Sequence, residues 1–172
     1  AVPPLWRGER YGHQRLRLGY LSADYCQHPV ALLLADVIEG HDRARFEVLG
    51  FSTGPDDGSA IRGRMAKAFD QFIDLRGRGA AESAGLIRRL EVDILVDLTG
   101  HTEGDHFAIL SHRPAPVQVN WLGYPGTSGA PSLDHILADR AVAPPGHEPF
   151  FSEKIVRLPG CYFPTSYDPC PL

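Results

Sequence analysis

Short β-forming runs alternate with helical segments along the chain, and this alternation constrains the fold more than any other feature of the sequence. Strands are predicted at residues 15–22, 46–52, 71–75, 92–100, 117–122, 133–138 and 154–158, and helices at 29–39, 60–69, 79–91 and 102–112. The run VDILVDLTG at 92–100 is almost continuously apolar, which is typical of a strand covered on both faces. We therefore expect an α/β fold: one doubly wound, mostly parallel, Rossmann-like sheet with helices on both faces.

Composition and charge exclude several classes of protein. Lys and Arg number 17 against 21 Asp and Glu, a net charge of −4 without a basic stripe, so we expect no binding to nucleic acid. Apolar stretches run for only about four to six residues, which predicts a soluble protein with no membrane partner. The cysteines Cys26, Cys161 and Cys170 lack the spacing of a disulfide framework or a zinc site, so a cytoplasmic location fits best.

The start of the chain differs in character from the rest. Residues 1–14 mix Pro, Gly and charged side chains without a period, and we interpret them as a linker from a region upstream. Residues 15–172 carry every predicted strand and helix, and a chain of this length is expected to form one domain.

Ligands of doubly wound sheets bind beyond the carboxyl ends of the strands, so the loops that follow strands are the first places to search. The loop after the first strand, SADYCQHP, carries Asp24 and His28 just before a predicted helix. A carboxylate can orient a histidine and raise its pKa, which would make His28 a general base or a donor to a sugar or phosphate oxygen. Alternatively, Asp24 caps a turn and His28 is extended only because Pro29 follows it.

The loop after the fourth strand, DLTGHTEG, combines glycines with polar side chains. Gly100 and Gly104 would let the backbone approach a ligand, while Asp97, His101 and Thr102 offer polar groups. The alternative is that the histidine is exposed and idle, and that the glycines only supply positive φ angles.

The loop WLGYPGTSGAPS is the least ordinary segment of the chain. Trp121, Tyr124 and Pro125 would stiffen a glycine-rich loop whose backbone amides could face a sugar or a phosphate. It could equally be a compact connection packed by its own aromatic rings. Neither a dinucleotide fingerprint nor a phosphate-binding P-loop nor a G-x-S-x-G motif occurs in the sequence.

Several segments in order resemble the N-terminal half of the catalytic region of the O-linked N-acetylglucosamine (GlcNAc) transferases. The resemblance spans about residues 15–163, and RPAPVQVNWLGYPGTSG is its most specific part. The other segments are LRLGYLSADYCQHP, FEVLGFSTGPDDGS, DILVDLTGHTEG, LDHILAD and FSEKIVRLPGCYF. An excess of arginine over lysine, 15 to 2, suggests a bacterial homologue.

The resemblance implies one lobe of a two-lobed GT-B glycosyltransferase that moves GlcNAc, with inversion, from UDP-GlcNAc to Ser or Thr hydroxyls of a protein or peptide acceptor. In the family the second lobe holds most of the UDP, and helical tetratricopeptide repeats precede the catalytic region. The partners implied are therefore UDP-GlcNAc, an acceptor, the second lobe and the upstream repeats. This lobe alone is expected to be inactive.

The resemblance also assigns residues. Asp24 and His28 match the family's Asp and His after the first strand, which are implicated in proton handling or in contacts to the donor sugar. The sugar pocket of the family matches the segment Leu122, Gly123, Tyr124 and Pro125. A family TKG motif near the acceptor appears here as Thr102, Glu103 and Gly104, so His101, Thr102 and Glu103 are candidate acceptor-side residues without the lysine.

One family histidine, often assigned as the catalytic base, lies upstream of the first strand. His13 stands in that part of the chain but in no matching motif.

No cofactor is expected, and transfer should be independent of metal, because the sequence has no D-x-D pair to hold a cation against the diphosphate. Two alternatives stay open. The lobe could serve a different nucleotide sugar, or it could be a non-catalytic protein-binding module, since fold alone does not fix function.

Overall fold

Seven strands form a single sheet in the computed structural model, which describes residues 2–102, 104 and 106–164. The strands are β1 (Leu16–Ser22), β2 (Phe46–Ser52), β3 (Gln71–Asp74), β4 (Ile94–Asp97), β5 (Val117–Asn120), β6 (His135–Ala138) and β7 (Lys154–Arg157). The helices are α1 (Pro29–Glu39), α2 (Ala60–Ala68), α3 (Ala80–Arg89) and the single turn α4 (Phe107–Leu110), with a short 3₁₀ turn at Glu148–Phe150.

All pairings in the sheet are parallel, and the spatial order is β3-β2-β1-β4-β5-β6-β7. In β1, Leu18 pairs with Val48 of β2 on one side and with Ile94 of β4 on the other. The strand order reverses between β1 and β4, which makes the carboxyl ends of these two strands the switch point where such sheets form a crevice. The predicted α/β class and parallel sheet are confirmed.

Each face of the sheet is covered by its own apolar cluster. Leu18 and Tyr20 of β1 point into a core shared with α1 and α2, whereas Leu21 points into the core shared with α3 and α4. This alternation is the period of two expected of a strand buried on both faces. Helices therefore lie on both faces of the sheet, as predicted.

The predicted boundaries of α1 are confirmed. Pro29 occupies the first turn of the helix, where its missing N–H costs nothing, and Gly40 follows the last helical residue. The N–H of Gly40 donates to the carbonyl oxygen of Asp36 and closes the final turn. This placement sets His28 directly at the start of the helix.

Two predictions for 92–112 are wrong. The fourth strand ends at Asp97, and the helix expected from Thr102 is reduced to the turn Phe107–Leu110. The expected helix is interrupted at Gly104, which has a φ of 83°, outside the helical range. The strand ends early because the carboxylate of Asp97 accepts hydrogen bonds from the amides of Thr99 and Gly100 and turns the chain. Gly100 then has a φ of 58°, which neither a strand nor a helix allows.

The segment interpreted as a linker has no helix or strand over residues 2–14 and lies against the domain. Leu5 and Trp6 donate backbone hydrogen bonds to the carbonyl oxygens of His112 and Arg113. Glu9 pairs with Arg88 of α3 at 3.1 Å. Among the described residues, no helix has both the length and the apolar character needed to cross a bilayer.

Candidate functional site

A cavity of about 410 Å³ opens at the switch point between β1 and β4. The loop after β1 supplies one wall, and the loops after β2, β4 and β5 supply the others. Its lining residues are Ala23, Asp24, Cys26, His28, Val30, Pro55, Thr102, Gly104 and Gly123. Predicted site residues from three separate loops therefore meet in one place.

Glycines let these loops approach each other at backbone distance. A Cβ atom added at Gly54 would lie 1.7 Å from the carbonyl oxygen of Ala23, and one at Gly123 would lie 2.1 Å from the carbonyl oxygen of Leu98. No side chain fits at such distances, because the clashing atoms belong to the backbone of a neighbouring loop. The loops after β2 and β5 are thus packed directly onto the loops after β1 and β4.

Asp24 and His28 face each other across one wall of the cavity. Nδ1 of His28 lies 3.8 Å from Oδ2 of Asp24, and the side chains are 42% and 18% exposed. Burial raises the pKa of the Asp24 carboxyl above its usual range, and the nearby His28 offsets part of that rise. The pair therefore combines a partly desolvated carboxylate with an accessible imidazole, which is an arrangement suited to holding or moving a proton.

His28 is also the N-cap of α1. Its Nδ1 accepts a hydrogen bond of 3.3 Å from the amide of Val30, and its backbone is extended ahead of Pro29. A neutral imidazole that accepts at Nδ1 carries its proton on Nε2. In this geometry His28 is a hydrogen-bond donor through Nε2, and action as a base would require the proton to shift to Nδ1, beside Asp24.

The burial of Asp24 leads to a prediction about stability. Because the folded state raises its pKa above the ordinary value of 3.8, the folded protein holds this proton more tightly, and the free energy of unfolding falls as the pH rises through that window. At neutral pH, above that window, the full free-energy cost of burying the ionised carboxyl lowers the stability of the folded protein. Asp24→Asn, which is uncharged, should therefore keep or raise the melting temperature at pH 7.

As a control, the melting temperatures of wild type and Asp24→Asn are compared again by thermal denaturation at pH values toward 4. The difference between the two proteins should shrink there, because the wild-type carboxyl also becomes neutral. A clear loss of stability in Asp24→Asn at pH 7 would contradict the argument, since it would mean that the partners of the carboxylate outweigh its burial.

The predicted residues in the loop after β4 differ in whether they line the cavity. Thr102 and Gly104 line the cavity, and the hydroxyl of Thr102 donates to the carbonyl oxygen of Thr99. Asp97 was a candidate ligand group, but it is fully buried and its oxygens bind the amides of the turn and the ring of His106. Glu103, a candidate acceptor-side residue, lies outside the described residues.

His101 connects the loop after β4 to the loop after β5. Its Nε2 lies 2.8 Å from the carbonyl oxygen of Ser128. The ring packs edge-on against Tyr124 at 5.4 Å and against Phe107 at 4.9 Å. These contacts hold the two loops together, and His101 itself is not among the residues that line the cavity.

In the loop after β5, Gly123 is the predicted residue that lines the cavity. Leu122 is buried at a φ of 76°, an unusual conformation for a residue with a side chain, and Tyr124 is partly exposed against His101. Pro125 follows Tyr124 in the same loop and is exposed. The strained backbone at Leu122 is what turns Gly123 onto Leu98.

A buried glutamate that the sequence analysis did not select anchors the far end of this loop. Glu153 is 4% exposed and accepts hydrogen bonds from the amide of Ser128 and the hydroxyl of Thr127, both at 2.7 Å. The hydroxyls of Ser128 and Ser152 also donate to it. It lies directly before the edge strand β7, and the local sequence pattern does not indicate this role.

Other lining residues were also missed. Cys26 belongs to the loop after β1 and Pro55 to the loop after β2, and the rule that ligands bind beyond the carboxyl ends of strands also applies to the loop of Pro55. His13 lies at the amino end of β4, 3.2 Å from Asp93 and 2.9 Å from Glu91, whereas the cavity lies at the carboxyl ends of the strands. It is therefore remote from the cavity.

The described part of the chain contains no group of three or more His, Cys, Asp or Glu side chains able to hold a metal ion. Within it, Cys26 and Cys161 are free thiols.

Comparisons with known proteins agree with the resemblance seen in the sequence. A sequence profile described as Glycosyl transferase family 41 matches residues 6–168. The probable UDP-N-acetylglucosamine–peptide N-acetylglucosaminyltransferase SEC of Arabidopsis thaliana is 35% identical over 156 residues, which are 91% of this chain and 16% of that protein. The UDP-N-acetylglucosamine–peptide N-acetylglucosaminyltransferase of Caenorhabditis elegans is 35% identical over 164 residues, 93% of this chain and 14% of that protein.

The fold agrees as well. A solved structure of a mutant O-GlcNAc transferase from Thermobaculum terrenum superposes with a TM-score of 0.85 at 38% identity, covering 91% of this chain and 30% of that one. The chain thus spans less than a third of each of these relatives.

Proposed function

The chain belongs to glycosyl transferase family 41, and from this premise we propose that it forms one lobe of a GT-B enzyme that transfers GlcNAc from UDP-GlcNAc to Ser or Thr hydroxyls of proteins. The observation that carries the proposal is the cavity at the switch point, where Asp24, His28 and Gly123 of the family-matched segments lie together. The proposed partners are a second lobe across the cleft, upstream helical repeats and a protein acceptor. We also propose a cytoplasmic location and a bacterial source.

The reaction needs an acceptor hydroxyl to attack the anomeric carbon of the sugar while the bond from that carbon to the UDP oxygen breaks. The new C–O bond forms on the opposite face, so the configuration inverts, and the hydroxyl proton passes to a base. UDP leaves as an anion with the electron pair of the broken bond. Stabilisation of that charge is expected to be the largest contribution, and we assign it to the second lobe.

In this lobe, His28 is the residue best placed to act on the reactants. With Nδ1 bound to the amide of Val30, its Nε2–H can donate to an oxygen of the donor sugar or of the leaving group. Asp24, 3.8 Å from Nδ1, can stabilise the imidazolium if the ring takes up the hydroxyl proton. Gly104 and Gly123 line the cavity, where the backbone of the two adjoining loops can face the sugar.

We propose that transfer is independent of metal. The test is incubation of the full-length protein with UDP-GlcNAc and acceptor peptides, measuring UDP release and sugar transfer with and without EDTA. We expect both activities, with a rate that changes by less than about twofold on chelation. A rate abolished by EDTA and restored by Mg²⁺ or Mn²⁺ would contradict the metal-independent mechanism.

The same assay separates the alternatives. Activity only with another nucleotide sugar in a donor screen would replace UDP-GlcNAc as the substrate. An absence of both turnover and binding with every donor would favour a non-catalytic protein-binding module. Either result would overturn the proposed function.

A further inference from the structure

One buried imidazole joins the loops that build the cavity. His106 is 2% exposed, with Nδ1 2.8 Å from Oδ1 of Asp97 and Nε2 2.8 Å from Oγ1 of Thr53. Asp97 ends β4, Thr53 directly follows β2, and His106 immediately precedes α4. We call Asp97, His106 and Thr53 the buried clasp.

The direction of each hydrogen bond in the buried clasp follows from its chemistry. The carboxylate of Asp97 already accepts the amides of Thr99 and Gly100, and an ionised carboxylate can only accept, so Nδ1 of His106 donates to it. Nε2 of the neutral ring is then an acceptor for the hydroxyl proton of Thr53. Every polar atom of the imidazole is therefore paired.

The buried clasp fixes the geometry of the cavity wall. Asp97 and His106 close the loop that contains Thr102 and Gly104, both of which line the cavity. Through Thr53 the clasp reaches the carboxyl end of β1, because the amide of Thr53 donates to the carbonyl oxygen of Ser22, the last residue of that strand, at 3.0 Å.

We propose that His106 is a positioning residue for donor binding, which holds the wall formed by Thr102 and Gly104 at its working distance from Asp24 and His28. This inference rests on the proposed function. His106 acts through the loop and is not a lining residue of the cavity.

Two amide substitutions separate the two bonds of the imidazole. In His106→Asn the side-chain nitrogen takes the place of Nδ1 and keeps the bond to Asp97, whereas His106→Gln reaches the place of Nε2 and keeps only the bond to Thr53. In the full-length protein, we expect His106→Gln to raise the KM for UDP-GlcNAc about tenfold, the effect of one lost buried hydrogen bond, and His106→Ala, which loses both bonds, to raise it at least as much. His106→Asn should stay within about twofold of wild type, and kcat should change less than KM in all three.

A second readout does not depend on activity. Hydrogen exchange at the amides of Thr99 and Gly100, which Asp97 binds, should be about tenfold faster in His106→Gln and His106→Ala but not in His106→Asn. If the wild-type protein transfers no GlcNAc, the proposed function is wrong. The hydrogen-exchange rates at Thr99 and Gly100 still show whether the buried clasp closes the loop. If His106→Ala does not fold, the Asn and Gln variants carry the comparison.

His41→Ala is the matched control. His41 is a half-buried histidine that is hydrogen-bonded to the hydroxyl of Tyr20 at 2.9 Å, but it lies just beyond the carboxyl end of α1 and does not line the cavity. It should lose stability without a change in KM. The proposal is overturned if His106→Gln leaves both KM and exchange at wild-type values, or if His106→Asn is impaired as strongly as His106→Gln.

Discussion

Replacing His28 by asparagine in the full-length protein should lower kcat/KM for GlcNAc transfer by about 10²-fold or more while leaving the melting temperature close to that of wild type. The reason is that His28 has two separable functions. As the N-cap of α1 it accepts a hydrogen bond from Val30, and asparagine is among the best residues for that task. Asparagine cannot supply the donor at Nε2 or take up a proton beside Asp24.

His28→Ala is the informative companion to this variant, because it removes the cap as well. It should lose the same catalytic activity and in addition about 1 kcal/mol of unfolding free energy. Initial rates at saturating acceptor, together with thermal denaturation, separate the two effects. Wild-type kcat/KM in His28→Asn would show that the histidine serves only as a helix cap.

Replacing Gly123 by alanine should reduce transfer by more than about 10²-fold and destabilise the protein by about 1–3 kcal/mol. The added Cβ would lie 2.1 Å from the carbonyl oxygen of Leu98 and 2.9 Å from the Cα of Thr99, so the loops after β4 and β5 must separate. That separation displaces a wall of the cavity. Calorimetric binding of UDP-GlcNAc and steady-state kinetics measure the loss.

Gly63→Ala is the matched control for this substitution. Gly63 lies within α2, where an added Cβ would meet no atom within 4 Å. Alanine is favoured over glycine inside a helix by about 1 kcal/mol, so this variant should be slightly more stable and fully active. Tight donor binding by Gly123→Ala would contradict the assignment of this loop contact to the site.

The strands and α1 could be predicted from sequence because their signals are local. Pro29 and Gly40 mark the ends of α1, and the apolar pattern of 92–100 reports burial on both faces. The helix expected from Thr102 does not form because Gly104 has a φ of 83°, outside the helical range, and the strand expected to Gly100 ends early because Asp97 binds the amides that would otherwise continue it. A propensity argument does not include such a competition.

The sequence predicts which loops form the candidate site, but not how these loops contact each other. The rule that ligands bind at the carboxyl ends of strands selects the segments of Asp24, Thr102 and Gly123, and the fold brings these together. Contacts between loops were not predictable, because they join residues far apart in the chain. The bond from Thr53 to His106 spans 53 positions, and no spacing rule relates the two.

The central claim is that UDP-GlcNAc occupies the cavity at the switch point between β1 and β4. The most direct test is whether the bound donor protects the thiol of Cys26 from alkylation. Cys26 lines that cavity, whereas Cys161 is an exposed free thiol outside it and serves as the internal control. The alkylation rate of each thiol in the full-length protein is measured by mass spectrometry, with and without saturating UDP-GlcNAc. We predict that the donor slows alkylation of Cys26 about tenfold or more and leaves Cys161 unchanged. An unchanged rate at Cys26 while UDP-GlcNAc is demonstrably bound would place the donor elsewhere and contradict the account.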